Sequence, residues 1–304
     1  MSRAVQYDRN GGVEVLDIVE VEEPHAEPGQ VRVAVRAAGL NSFDFKVRND
    51  PSYLPNHALP SRQGNEFAGV VDEVGDGVKQ VQPGDEVLGW VSFAAQADYV
   101  VVPAAHVAPK PADLDWATAG GIGLVGNTAR RATDAVAPGP GDTVLVSSAA
   151  GGVGLFSAQF ALRAGAAVVG TASEANHAFL RELGVTPVVY GPGLVGRIRA
   201  AAPQGITAVI DTSGQETVEA GLELGVAPER INTIAYFAGV EKYGITAVGG
   251  GGKTAAELGE LAALVASGEL VMPIQATYPL ARVREAYERL ESRHLRGKIV
   301  LLVP

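Results

Sequence analysis

Residues 144–161 read VLVSSAAGGVGLFSAQFA. Small residues at this density let a backbone close on a phosphate, and the flanking residues say where that backbone sits. Val144, Leu145 and Val146 suit a buried parallel strand, which needs no polar alternation because both its faces are covered. Val153, Phe156 and Phe160 recur at spacings of three and four, a helical stripe, and Gly165 stands where that helix would stop. Between strand and helix, Ala150, Gly151, Gly152, Val153 and Gly154 form a candidate pyrophosphate cradle, with the unpaired N–H groups of the helix start facing the ligand. Ala149 stands where a G-x-G-x-x-G motif begins with glycine, so the match is partial. An ordinary strand-to-helix turn is the alternative.

The elements around this turn favour the nucleotide reading. Strand-like runs at 166–170, 188–190, 208–212 and 230–235 alternate with helical or loop segments, the pattern of a doubly wound parallel sheet. The glycine turn then lies between the first strand and first helix, where such sheets bind dinucleotides. The first 112 residues differ: VRVAVRAAG, AGVVDEVG, GDEVLG and ADYVVVP are valine runs punctuated by glycine and proline, hence an antiparallel β domain. A helical stretch from Arg282 to Leu290 precedes a last strand-like run, GKIVLLVP, which is expected to return to the first domain. The GGGG at 249–252 reads as a connection, because no strand and helix frame it. The expected domains are 1–115 with 273–304, and 116–272.

Composition narrows the functions. The 304 residues carry a formal charge of −10, which disfavours sequence-independent nucleic-acid binding. There is no cysteine, hence no disulfide, thiolate metal site or cysteine nucleophile. No apolar run approaches the ~20 residues of a membrane span, and MSRAVQYDRN does not read as a secretory signal. A cytoplasmic location is expected. Neither Y-x-x-x-K nor G-x-S-x-G occurs, and the five histidines show no metal-ligand spacing.

AVQYDRNGGVEVLDIVEV, VRAAGLNSFDFKVR, GNEFAGVVDEVGDGV, PGDEVLG, GLVGNTA, SSAAGGVG and RGKIVLLV occur in this order along the whole chain. Together they resemble the zinc-independent quinone oxidoreductase branch of the medium-chain dehydrogenase/reductase superfamily. The resemblance implies an α/β fold: a GroES-like antiparallel β domain from both chain ends, an inserted Rossmann domain with a doubly wound parallel sheet, and a cleft where NAD(P)H meets substrate. Asn41 stands where the zinc-dependent relatives place a cysteine ligand, and Asn65 where they place a histidine. The four-cysteine structural zinc loop is also missing. No metal is therefore expected. Without a Lewis acid, reduction of an already electrophilic quinone or enone fits better than alcohol oxidation.

The resemblance also nominates residues. The Asn41 amide would donate to a carbonyl oxygen that becomes negative as hydride arrives. Asp44 and Lys46, two apart, would share a face of an extended segment as a polar pair orienting Asn41 or the ribose, or as a solvated ion pair. Tyr53 would offer a phenol donor, and Glu66 is expected to fix the β domain. Thr128 matches a threonine placed against the nicotinamide, though Arg130 and Arg131 follow where relatives carry an aromatic residue. Tyr236 and Phe237 would wall the nicotinamide pocket, or pack the core. At the ribose, Ser173, Asn176 and His177 supply donors after the second strand, and Tyr190, ending the third, matches a tyrosine beside the 2′-phosphate. NADPH is therefore expected, with NADH the alternative because Glu174 follows Ser173. A homodimer is expected by family analogy alone. The alternatives kept open are a zinc-independent carbonyl or alcohol dehydrogenase, and a nucleotide-binding redox sensor or structural protein with little turnover.

Overall fold

The computed structural model describes residues 1–292 and 294–304. The chain begins with β1 (Ser2–Tyr7), β2 (Asp17–Val21), β3 (Gln30–Gly39), α1 (Ser42–Asn49), β4 (Ser61–Arg62), β5 (Glu66–Val74), β6 (Glu86–Trp90), β7 (Tyr99–Pro103), β8 (Val107–Pro109), α2 (Trp116–Gly121) and α3 (Gly123–Val136). It continues with β9 (Thr143–Val146), α4 (Gly152–Arg163), β10 (Ala167–Thr171), α5 (His177–Glu182), β11 (Thr186–Val188), α6 (Leu194–Ala201), β12 (Ala208–Asp211), α7 (Gln215–Glu223), β13 (Ile231–Thr233) and α8 (Ala238–Tyr243). It ends with α9 (Ala255–Ala266), β14 (Ile274–Pro279), α10 (Val283–Glu291) and β15 (Lys298–Leu302).

Packing divides the chain into Met1–Leu124 with Lys253–Pro304, and Val125–Gly252. The sequence reading put 116–124 and 253–272 with the nucleotide segment. They pack instead with the first unit, where α2 lies on β3 and β5 and α9 lies on β8.

In the first unit β3 is the organising strand. Val31, Val33 and Val35 alternate inward with a period of two, and the strand pairs antiparallel with β5, β7 and β15. The last strand of the chain thus completes a sheet begun near its start. Val71, Val100, Val102, Ile299 and Leu301 fill the core beside them.

The second unit is a parallel sheet in the order β11-β10-β9-β12-β13. All residues of β9 and β12 are buried, which explains why both read as uninterrupted apolar runs. Strand order reverses between β9 and β12, so the chain leaving their C-terminal ends opens the crevice where such sheets take ligands. The third strand runs Thr186–Val188, earlier than the 188–190 expected. Gly184 ends the preceding turn in the left-handed region (φ 84°), so the strand starts sooner and Tyr190 falls in the following loop. Among the described residues, no helix is long and apolar enough to cross a membrane.

Candidate active site

In the second unit, the turn after β9 is shaped by close approach. An added Cβ on Gly154 would lie 2.6 Å from the Ser147 carbonyl oxygen and closer still to that of Ser148. Only glycine lets α4 begin this close to the strand. Ser148 adopts φ 48°, its N–H donating to Thr171 Oγ1 at 3.1 Å. Gly151 is the extended residue before α4 and provides no side-chain cap. Helix geometry leaves the N–H groups of Gly152, Val153 and Gly154 without intrahelical acceptors, aimed together with the helix dipole at whatever binds there. A pyrophosphate fits this donor set.

Asp211, fully buried at the end of β12, holds the other side of the crevice. Its Oδ1 accepts from Ser147 Oγ (3.0 Å), Ser213 N (3.0 Å) and Gly214 N (2.9 Å), and its Oδ2 from Thr233 Oγ1 (2.6 Å). One carboxylate thereby ties three strand ends together. The sequence reading missed it, although an aspartate closing the apolar run AVID was a visible signal.

At the end of β10, Ser173 is half-buried and accepts from Asn176 Nδ2 at 3.4 Å. His177 Nε2 lies 3.3 Å from the Ala172 carbonyl, while Glu174 is exposed. Tyr190 is 42% exposed. Arg197 of α6 reaches this loop, and its guanidinium donates to the carbonyls of Val189, Tyr190, Gly191 and Pro192. Thr128 is half-buried, its methyl 3.2 Å from where a Gly249 Cβ would stand. Arg130 lies over the Phe160 ring at 5.5 Å, and Arg131 donates to the Gly252 carbonyl. These contacts account for the arginines following Thr128: one packs on α4, the other clasps the glycine loop. Tyr236 packs on the core while Phe237 is 54% exposed.

In the first unit, the nominated polar residues meet in a buried network. Residues 42–49 form α1, not the extended segment expected, so Asp44 and Lys46 do not share a face. A polar Asn41 ahead of an aspartate three residues on favours a helix start, and the Asn41 N–H donates to Asp44 Oδ2 at 2.8 Å. Asp44 Oδ1 accepts from Asn65 Nδ2 (2.6 Å), and Oδ2 also from Tyr287 Oη (3.1 Å), itself held by Gln96 Nε2 (2.8 Å). The Lys46 ammonium lies 5.4 Å from the Tyr53 ring centroid.

The Asn41 side chain is fixed by opposite charges. Its Nδ2 donates to Glu66 Oε1 at 2.8 Å, and its Oδ1 accepts from Lys298 Nζ at 2.6 Å. Reversing the amide would set donor against donor and acceptor against acceptor, so the orientation is determined. Lys298 Nζ also donates to Glu66 Oε1 (2.9 Å) and the Leu40 carbonyl (2.6 Å), while Leu124 N donates to Glu66 Oε2 (2.8 Å). The second Nδ2 hydrogen of Asn41 has no acceptor among the described residues. Lys298 escaped the sequence reading because only the pairing of β15 with β3, distant in sequence, brings it to Asn41.

Zinc does not fit these donors. The Asn65 amide nitrogen is turned toward Asp44, and a lysine ammonium already occupies the cation position between Asn41 and Glu66. Among the described residues, no group of three or more His, Cys, Asp or Glu is arranged to hold a metal.

Burial pushes the Asp44 carboxyl up to about 6, opposed by hydrogen bonds from Asn41 N–H and Asn65 and by the Lys298 charge. The folded protein therefore holds this proton more tightly than the unfolded chain. The group's contribution to stability is complete below its ordinary value of 3.8 and is lost as pH rises to about 6. Relative to Asp44→Asn, the wild type is expected to lose about 3 kcal/mol between these limits. Denaturant unfolding of both proteins at either end of the window checks this, and a constant difference contradicts it.

The Alcohol dehydrogenase GroES-like domain family matches residues 27–112, and the Zinc-binding dehydrogenase family matches residues 183–301. The chain is 32% identical over 297 residues to the pikromycin polyketide synthase component PikAII of Streptomyces venezuelae, covering 91% of this chain but only 8% of that protein. It thus spans a small part of the first curated relatives it matches. It is 30% identical to a quinone oxidoreductase of Pseudomonas aeruginosa, covering 99% of this chain and 100% of the relative. It is also 30% identical to an NADPH-dependent alkenal/one oxidoreductase of Arabidopsis thaliana, covering 98% and 79%. Among solved structures, the quinone oxidoreductase of Coxiella burnetii superimposes with a TM-score of 0.89 at 30% identity, covering 100% of this chain and 99% of that one. The Escherichia coli quinone oxidoreductase complexed with NADPH does so with a TM-score of 0.87 at 27% identity, covering 99% and 100%.

Proposed function

Because the chain belongs to the quinone oxidoreductase branch of the medium-chain dehydrogenase/reductase superfamily, we propose that it is an NADPH-dependent reductase of quinones or conjugated enones that works without zinc. Bound NADPH would supply the hydride. The first-turn N–H groups of α4 would hold the pyrophosphate. Ser173, Asn176, His177 and Tyr190 would surround the adenosine ribose and its 2′-phosphate, with the Glu174 carboxylate turned to solvent. Thr128, Tyr236 and Phe237 would lie toward the nicotinamide.

One observation carries the metal-free reading: the Asn41 amide, held between the Glu66 carboxylate and the Lys298 ammonium, keeps one N–H to give. That hydrogen would bind the substrate carbonyl oxygen as it gains negative charge, the task zinc performs elsewhere. A donor locked in place pays no reorganisation cost when the charge develops. Glu66, Lys298 and, through the backbone of Asn41, Asp44 are positioning residues. Tyr53 would be a second donor: burial raises its phenol above the ordinary value, so it keeps its proton at neutral pH.

Asn41→Ala is expected to lower kcat roughly 100-fold while leaving the dissociation constant for NADPH within about twofold. Steady-state rates beside a fluorescence titration of NADPH make the comparison. An unchanged kcat would return Asn41 to a helix-start role.

A further inference from the structure

Four half-buried rings from separate segments of the first unit touch in sequence. Tyr53 meets Phe43 at 6.0 Å between centroids, Phe43 meets Phe93 at 5.7 Å, and Phe93 meets His57 at 4.4 Å. They come from α1, the loop at 50–60 and the loop after β6. The His57 ring is fixed through Nε2, which lies 2.9 Å from Tyr7 Oη and 2.8 Å from Ser61 Oγ.

Phe93 is the unusual member. It adopts φ 53°, in the left-handed region that bulky side chains rarely occupy. Its N–H donates to Asn65 Oδ1 at 3.2 Å, and the same Asn65 amide donates to Asp44, which accepts the Asn41 N–H. The ring strip and the Asn41 donor therefore share one rigid frame. A strained backbone that holds a large ring partly in solvent would be relieved by glycine; retaining phenylalanine there makes sense where the ring meets a ligand.

We propose that Tyr53, Phe43, Phe93 and His57 form a stacking wall for a flat, conjugated cyclic carbonyl substrate, and that Phe93 sets the preference for such rings over open-chain acceptors. The neighbouring rings stand at 63°, 33° and 52° to one another. This curved strip offers both faces and edges, the geometries in which aromatic rings attract. A fused-ring quinone would span several of them, whereas a short open-chain enone covers at most one. This proposal rests on the reductase reading, and its test separates the two.

The experiment compares kcat/KM for 9,10-phenanthrenequinone and 3-penten-2-one in wild type and Phe93→Leu, with Phe43→Leu as a second variant whose backbone is ordinary helix. Binding of unreactive phenanthrene is followed in parallel by its fluorescence. The expected result is a loss of about tenfold for the quinone and for phenanthrene affinity, with the enone changed less than about twofold. Should Phe93→Leu fail to fold, Phe43→Leu carries the same expectation. Equal losses for both substrates, or no loss for either, overturn the wall. If wild type turns over neither compound, the reductase reading fails, and phenanthrene affinity alone decides the wall: a tenfold loss supports it, an unchanged affinity overturns it.

Discussion

Gly154→Ala is expected to cut NADPH affinity by about 100-fold or more and to destabilise the second unit by roughly 1–3 kcal/mol. The new methyl group would meet two carbonyl oxygens of the turn, at Ser147 and Ser148. These are backbone atoms at the end of a buried strand, so neither can rotate aside. Relief requires α4 to back away from β9, which moves the three first-turn N–H groups that would receive the pyrophosphate. Gly196 is the natural control. It lies inside α6 with nothing within 4 Å of an added Cβ, so Gly196→Ala should stabilise by about 0.5–1 kcal/mol and leave affinity unchanged. A fluorescence titration with NADPH and thermal unfolding of both variants decide the matter. Normal affinity in Gly154→Ala would show that the turn does not hold the dinucleotide.

Lys298→Met should cost about 3–5 kcal/mol in the stability of the first unit. The lysine and Glu66 are 4% and 1% exposed, and the ammonium is the sole cation hydrogen-bonded to that carboxylate among the described residues. Removing it leaves a buried charge hydrogen-bonded only by the Asn41 amide and the Leu124 N–H among the described residues, with Lys253 as its remaining cationic neighbour. Adding Glu66→Gln removes the stranded charge, so the double variant should recover much of the loss. The measurement is denaturant unfolding of wild type, both single variants and the double variant. Strictly additive effects would mean that the pair is not coupled.

Legibility in the sequence followed the range of the interactions involved. The parallel unit announced itself because strand, turn and helix are each coded within a few residues: a buried valine run, a glycine cradle, then an amphipathic stripe. Boundaries were less secure where a proline or glycine moved a strand, as with Tyr190 beyond β11. The stretch NSFDFKVRN was misjudged because its helix is held less by periodicity than by Asp44 reaching back to the Asn41 N–H and being buried under Tyr287. Asn41 itself was visible as a departure from the zinc-dependent pattern. What fixes its amide was not. Glu66 and Lys298 are separated by 232 residues, and only the sheet made by β5, β3 and β15 joins them. The ring strip was hidden for the same reason, since its members meet only after α1 and two loops have come together.

The central claim is metal-free reduction by NADPH, and the most direct measurement is cofactor oxidation at 340 nm with 9,10-phenanthrenequinone, using protein exhaustively treated with chelator. NADPH and NADH are compared side by side. The account predicts undiminished turnover without metal, no gain on adding zinc, and a higher kcat/KM for NADPH. Turnover lost with the chelator and restored by zinc would contradict it.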